Sequence, residues 1–133
     1  MIEFKYIAPN DLRFWWPSIR EGLNKIKSHS PENWIPEDVY TDCFNKASDL
    51  FVIINNQRFA GFFVLQPMQN TVHVWAAWTV ENDYQIVDAG LKYIKSLAGQ
   101  AGAKYLTFSS HRKGWQRRAA AYGFRPKQYI CEV

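Results

Sequence analysis

Between Asn70 and Phe124 the spacing of apolar residues changes from two to about 3.6 and back again, which restricts the fold more than any other property of the chain. The segment NTVHVWAAWTV alternates, with Val72, Val74, Ala76 and Trp78 on one face and His73, Trp75 and Ala77 on the other. ENDYQIVDAGLKYIKSLAGQAG then sets Ile86, Val87, Leu91, Ile94, Leu97 and Ala98 on one helical stripe, a helix from about Asp83 to Leu97. Asn82 is the expected cap, with Gln85 completing a capping box, and Gly99 or Gly102 the expected stop. AKYLTFSS returns to strand character. Strand, helix and strand in this order predict a right-handed crossover between parallel strands. GWQRRAAAYGF follows as a shorter helix that Gly123 ends.

The residues before this unit predict antiparallel structure. Glu3 to Ile7 read as a short first strand. Pro17 suits a first helical position, and Ile19, Leu23 and Ile26 supply that helix's apolar stripe. Pro36 starts a second helix with Glu37 and Asp38 in its first turn, and Val39, Tyr40, Cys43, Phe44 and Ala47 form its buried side. LFVIINN and QRFAGFFVLQP flank a turn at Asn55, Asn56 and Gln57, the strongest hairpin signal in the chain. Lys127 to Val133 read as a last strand. The expected architecture is one α/β domain over residues 1–133, with a mixed, mostly antiparallel sheet, a parallel crossover and flanking helices.

Charge and side-chain chemistry narrow the functional classes. The chain is 47% hydrophobic, enough for a real core, and it has no apolar run long enough to span a bilayer. The opening MIEFKYIAPND lacks a secretory segment, so a cytoplasmic protein without membrane partners is expected. Cys43 and Cys131, each among apolar neighbours, read as two buried thiols. Net charge is only +4, yet Lys104, Arg112, Lys113, Arg117, Arg118, Arg125 and Lys127 follow one another with no acid between them. An anionic partner at this end is the implication. Trp115 among Arg112, Arg117 and Arg118 has the composition of a protein-binding hot spot and, secondarily, of a surface that stacks bases and holds phosphates. His73 alternates with valines and reads as a structural histidine. No zinc spacing, Ser-His-acid set or pair of carboxylates is present, so neither a metal site nor a catalytic residue is assigned.

The element order, with RRAAAYGFRPKQYICEV as a last helix, Gly-Phe turn and strand, resembles the GCN5-related N-acetyltransferase (GNAT) superfamily over nearly the whole chain. AGQAGAKYLTFSS is similar to that family's central helix end running into its fifth strand. The resemblance implies a splay between the fourth and fifth strands that takes acetyl-CoA. The pantetheine arm would pair with the fourth strand around Trp75 to Val80, and the pyrophosphate would lie at the following helix. Ala77, Trp78, Val80 and Gln85 are the positions this implies for cofactor binding. The small, glycine-poor form of the chain suggests a divergent, phage-type member.

Two departures from the family pattern shape the functional expectation. ENDYQIV has no glycine where the family's pyrophosphate turn belongs, and Glu81 and Asp83 add negative charge there. Ala119 stands where the family often has its general-acid tyrosine, while Tyr122 lies on another part of the helix. The expectation is therefore a non-catalytic, acetyltransferase-like binding protein without a cofactor. It would contact a protein or assembly partner through Arg112, Trp115, Arg117 and Arg118, with nucleic acid as the weaker choice. The alternative is an acyl-CoA-dependent N-acetyltransferase acting on an amine, with acetyl-CoA as cofactor and the Trp34 region facing the acceptor.

Overall fold

A computed structural model describes residues 1–30, 32–109, 115–126 and 131 of the chain. Strand β1 (Ile2–Tyr6) leads through a 3-10 turn at Pro9–Asp11 into helix α1 (Leu12–Lys27), followed by α2 (Pro36–Phe44). Then come β2 (Asp49–Asn55), β3 (Arg58–Met68), β4 (Thr71–Thr79), α3 (Tyr84–Gln100), β5 (Tyr105–Phe108) and α4 (Trp115–Ala121). The five described strands form one sheet in chain order, antiparallel from β1 to β4, with β4 and β5 parallel across α3. The expected last strand at Lys127 to Val133 lies outside the described residues, apart from Cys131.

Strand β3 explains the layering. Phe62, Phe63, Val64 and Leu65 are all buried, a continuous apolar run that requires cover on both faces of the sheet. Phe62 and Val64 join Leu50, Val52, Ile19, Leu23, Val39 and Cys43 under α1 and α2. Phe63 and Leu65 join Phe51, Ile53, Ile86, Ile94 and Ala98 under α3. Asn56 and Gln57 both have positive φ, 52° and 67°, so the hairpin between β2 and β3 closes with the turn twist that antiparallel strands favour.

Several local expectations are corrected. Helix α1 begins at Leu12, five residues before Pro17, because the 3-10 turn and the buried Leu12 fix its start. Phe44 is exposed, since α2 ends there and no further turn carries it back to the sheet. Cys131 is exposed rather than buried, and it forms no disulfide with Cys43. The cap of α3 is Asp83, whose Oδ1 accepts from the Gln85 backbone N–H at 2.8 Å, a shorter reach than Asn82 offers. Gly99 remains within the helix, and Gly102, at φ 78°, ends it.

The strict alternation read for β4 also fails, at one point. Val64 pairs with Ala76 and Leu65 with Val74, so Trp75 is an extra residue with no opposite number on β3. Val72 and Val74 pack on the α3 side, whereas Trp75, Ala76 and Trp78 pack on the side of α1 and α2. Gly22 of α1 accepts Trp78. A Cβ at Gly22 would lie 2.5 Å from Phe62 Cε1 and 2.7 Å from Trp78 Cε3. Phe62 is fully buried and has nowhere to retreat. Gly22→Ala is expected to cost about 1–3 kcal/mol in urea unfolding, outweighing the ~1 kcal/mol that alanine offers a helix. Gly90→Ala in α3 is the matched control. There the new Cβ meets only Phe4 Cε1 at 4.0 Å, and a gain of about 0.5–1 kcal/mol is expected.

Candidate functional site

Parallel pairing of β4 with β5 runs through four rungs, Thr71 with Tyr105, Val72 with Leu106, His73 with Thr107 and Val74 with Phe108, and then ends. Strand β5 stops at Phe108, but β4 continues to Thr79. From Trp75 onward, the edge of β4 turned toward β5 has no strand partner among the described residues. The bulge falls at the same point, and an extra residue bends a strand and increases its twist. The result is a wedge whose vertex is the Val74–Phe108 rung. Its wall is that β4 edge, whose main-chain amides and carbonyls meet no strand among the described residues.

Of the positions named for a cofactor, Ala77 and Trp78 lie in β4, Val80 just past its end and Gln85 in α3. Ala77 is exposed, and Val80 is exposed where the chain leaves β4, anchored by its N–H to the Ala60 carbonyl at 2.8 Å. Trp78 is half-buried, its ring 6.2 Å from that of Phe62 and 5.5 Å from Lys25 Nζ, so its side chain braces the sheet on the α1 side. Gln85 is exposed in the first turn of α3, its backbone N–H already bonded to Asp83.

The basic helix comes to the same place. The Arg118 guanidinium lies over the ring of Tyr84, 4.4 Å from its centroid, at the first residue of α3. Phe124 packs edge-on against Phe108 at 4.9 Å, and Lys95 donates to the Tyr122 carbonyl, which ties the end of α4 to β5 and α3. Arg117 is exposed, away from Arg118. Trp115 opens α4. Arg112 lies outside the described residues. Arg117 and Arg118 thus do not form one continuous face: one meets solvent and the other meets α3. Sequence reasoning missed the Tyr84–Arg118 contact. Its one signal is a cation and an exposed aromatic on two helices that flank the same strand.

A second cluster lies at the vertex on the α1 and α2 side. His73 Nδ1 is 2.9 Å from Thr107 Oγ1, across a β4–β5 rung. The Trp34 indole N–H donates to Glu32 Oε2 at 2.6 Å, and the rings of Trp34 and Trp75 meet edge-on at 6.1 Å. Lys27 Nζ lies 5.5 Å from the Trp34 ring centroid and donates to the Glu32 carbonyl. Burial lowers the His73 pKa below its ordinary value, while the nearby Glu32 carboxylate pulls the other way. Cys43 is chemically quiet by comparison: burial, with Asp42 and Asp49 nearby, pushes its thiol up to about 12. Among the described residues no group of His, Cys, Asp and Glu is placed to hold a metal ion, and no helix is long and apolar enough to cross a membrane.

The splayed mixed sheet, its crossover and its two helical layers make this an α/β protein with the fold of the GNAT superfamily. A probable acetyltransferase superposes with a TM-score of 0.74 at 16% identity, covering 98% of this chain and 97% of the other. A predicted acetyltransferase of Clostridium acetobutylicum, solved with acetyl-CoA, gives 0.70 at 12% identity over 100% and 96%. The PaiA N-acetyltransferase of Thermoplasma acidophilum, solved with coenzyme A, gives 0.64 at 14% over 92% and 87%. No family model matches the chain, and no curated protein matches its sequence. The expectation that this chain has no cofactor is corrected by the last two structures, of the same fold, which are solved with acetyl-CoA and with coenzyme A. That expectation weighed the missing glycines, the charges of Glu81 and Asp83 and the alanine at position 119, with neither the open β4 edge nor the position of Arg118 in view.

The lowered pKa of His73 has a consequence for stability. The fold favours the neutral ring, so its contribution is complete above the unfolded value of 6.5 and is lost as pH falls below it. His73→Asn retains a polar group near Thr107 but does not titrate. The urea midpoint of this variant is expected to decline less than that of the parent between about pH 7 and pH 5. Parallel declines would assign the acid sensitivity to other groups.

Proposed function

We propose that the chain is an acyl-CoA-dependent N-acyltransferase, built as a single domain and acting on an amine in the cytoplasm. The observation that carries this reading is the open edge of β4, which leads from Trp75 to the first turn of α3, where Arg118 stands. Main-chain groups of residues 75–79 suit the two amides of a pantetheine arm. The bulged wall and the Val74–Phe108 vertex limit how far that arm enters. The α3 N-terminus attracts an anion, and Arg118 supplies the full positive charge and the forked donors that ENDYQIV lacks in glycine-borne amides. Asp83 is occupied as the helix cap, which spreads part of its charge into a backbone hydrogen bond. Bound acetyl-CoA supplies an activated acyl group as a thioester.

His73 is the proton acceptor in this reading. It lies one rung inside the vertex, half-buried and biased toward its neutral form. An acceptor ammonium gives one proton to His73, and the freed lone pair forms a C–N bond at the thioester carbonyl. If acetyl-CoA were bound there, its sulfur would be the leaving group and would take up the second nitrogen proton, directly or through water. Alanine at position 119 has no proton to supply in that last step.

Calorimetry decides the cofactor reading. Acetyl-CoA is expected to bind with micromolar affinity, and Arg118→Glu to weaken it about tenfold or more, the scale of one charge-assisted hydrogen bond and its loss. Circular dichroism of the variant checks that the fold is kept. Absence of binding by the parent at millimolar acetyl-CoA would overturn the enzyme reading in favour of a binding module.

A further inference from the structure

Strand β1 lies at one edge of the sheet, with β2 on one side and no strand on the other among the described residues. The bonds at its two ends fix which way its main-chain groups point. The Asn56 N–H donates to the Met1 carbonyl at 3.1 Å, and the Ile7 N–H donates to the Leu50 carbonyl at 2.9 Å. In an antiparallel ladder, residues bonded to the neighbour alternate with residues turned away from it. Met1, Glu3, Lys5 and Ile7 therefore direct their N–H and C=O groups to β2, while Ile2, Phe4 and Tyr6 direct theirs to the open edge. The side chains alternate as well. Phe4 stacks on Tyr93 at 4.4 Å and Tyr6 meets Phe51 at 5.6 Å, on the face that α3 covers. Glu3 and Lys5 are exposed on the other face, with Lys5 Nζ 5.9 Å from the Trp15 ring of α1. Neither forms an ion pair among the described residues.

We propose that β1 is the seam of a symmetric dimer, in which a second copy of this chain adds its own β1 antiparallel at that edge, centred on Phe4. Two-fold pairing sets outward groups opposite outward groups when its centre is Glu3, Phe4 or Lys5. Centring on Glu3 places glutamate against glutamate, and centring on Lys5 places lysine against lysine; like charges directly opposite are destabilising. Centring on Phe4 places Glu3 against Lys5 twice, in the non-hydrogen-bonded pairs where side chains come closest. It also sets Phe4 opposite Phe4 and Ile2 opposite Tyr6, so the outward main-chain groups of all three residues find partners. Tyr6 is 44% exposed at this edge, and the second copy adds apolar cover on the α3 face. Charges on an edge strand ordinarily keep other strands away. IEFKY is its own complement, so the charges that oppose the neighbouring registers favour this one. The seam is at the opposite edge of the sheet from the β4–β5 wedge, and neither depends on the other.

Sedimentation equilibrium of the whole chain tests the seam. The parent is expected to dimerise with a dissociation constant on the order of 10–100 µM, as suits a small interface. Glu3→Lys and Lys5→Glu each put like charges into both cross-strand pairs, and each is expected to raise that constant about tenfold or more. An equimolar mixture of the two variants restores both attractive pairs, as does one chain carrying both changes, and each is expected to dimerise like the parent. Both side chains are exposed, and circular dichroism checks that the variants fold. Amide exchange locates the contact: the N–H groups of Ile2, Phe4 and Tyr6 are expected to gain protection as concentration rises, while those of Glu3 and Lys5, already bonded to β2, do not. A parent that stays monomeric at about 1 mM would overturn the seam. So would single variants that dimerise like the parent, a mixture no tighter than either variant alone, or protection that rises only outside β1.

Discussion

One residue without an opposite number sets most of this structure's functional geometry. Trp75 is inserted into β4 between positions that pair with Val64 and Leu65. A hydrogen-bonded ladder cannot absorb an extra residue and remain regular, so the strand bends and twists away from its other neighbour. The parallel ladder to β5 ends at Val74, one residue earlier. The same insertion moves Ala76 and Trp78 to the side of α1 and α2, where Gly22 leaves room for the indole. The wedge, its aromatic brace and the exposed main chain therefore have a common origin.

The crossover was legible because both faces of β3 and one stripe of α3 are apolar with unambiguous periods. Burial of Ile86, Ile94 and Ala98 then follows from spacing alone. The bulge was not legible, since VHVWAAW alternates plausibly in either register and alanine at positions 76 and 77 suits both faces. The cap of α3 was misplaced by one residue for a similar reason: Asn82 and Asp83 are equivalent caps by type, and backbone φ and ψ choose between them. At the site, sequence could name Arg118 and Gln85 separately. It could not show that the end of α4 is tied back through Phe124 and Lys95, bringing a cation to Tyr84. Glu32 escaped notice because an exposed glutamate in a loop has no pattern of its own.

In the acyltransferase reading, the α3 end of the wedge would change the source of a charge without moving the site. Glycines beside a helix N-terminus supply several partial charges at close range. A guanidinium supplies one full charge and a planar fork from a neighbouring helix. The second arrangement relies on the position of α4, which the described residues tie to α3 and β5 through Arg118, Phe124 and Lys95. Electrostatic complementarity here is thus coupled to the docking of a terminal element, whereas a glycine turn carries its donors within the crossover itself.

Lys27 reaches the Trp34 ring from the last turn of α1, its Nζ 5.5 Å from the ring centroid. The indole that the loop between α1 and α2 turns toward Trp75 is thus held from three directions, by a cation over its face, a carboxylate at its N–H and a second indole at its edge. A loop with no regular secondary structure of its own borrows its order from one aromatic ring, so losing that ring would release the loop from the sheet and from α1 together.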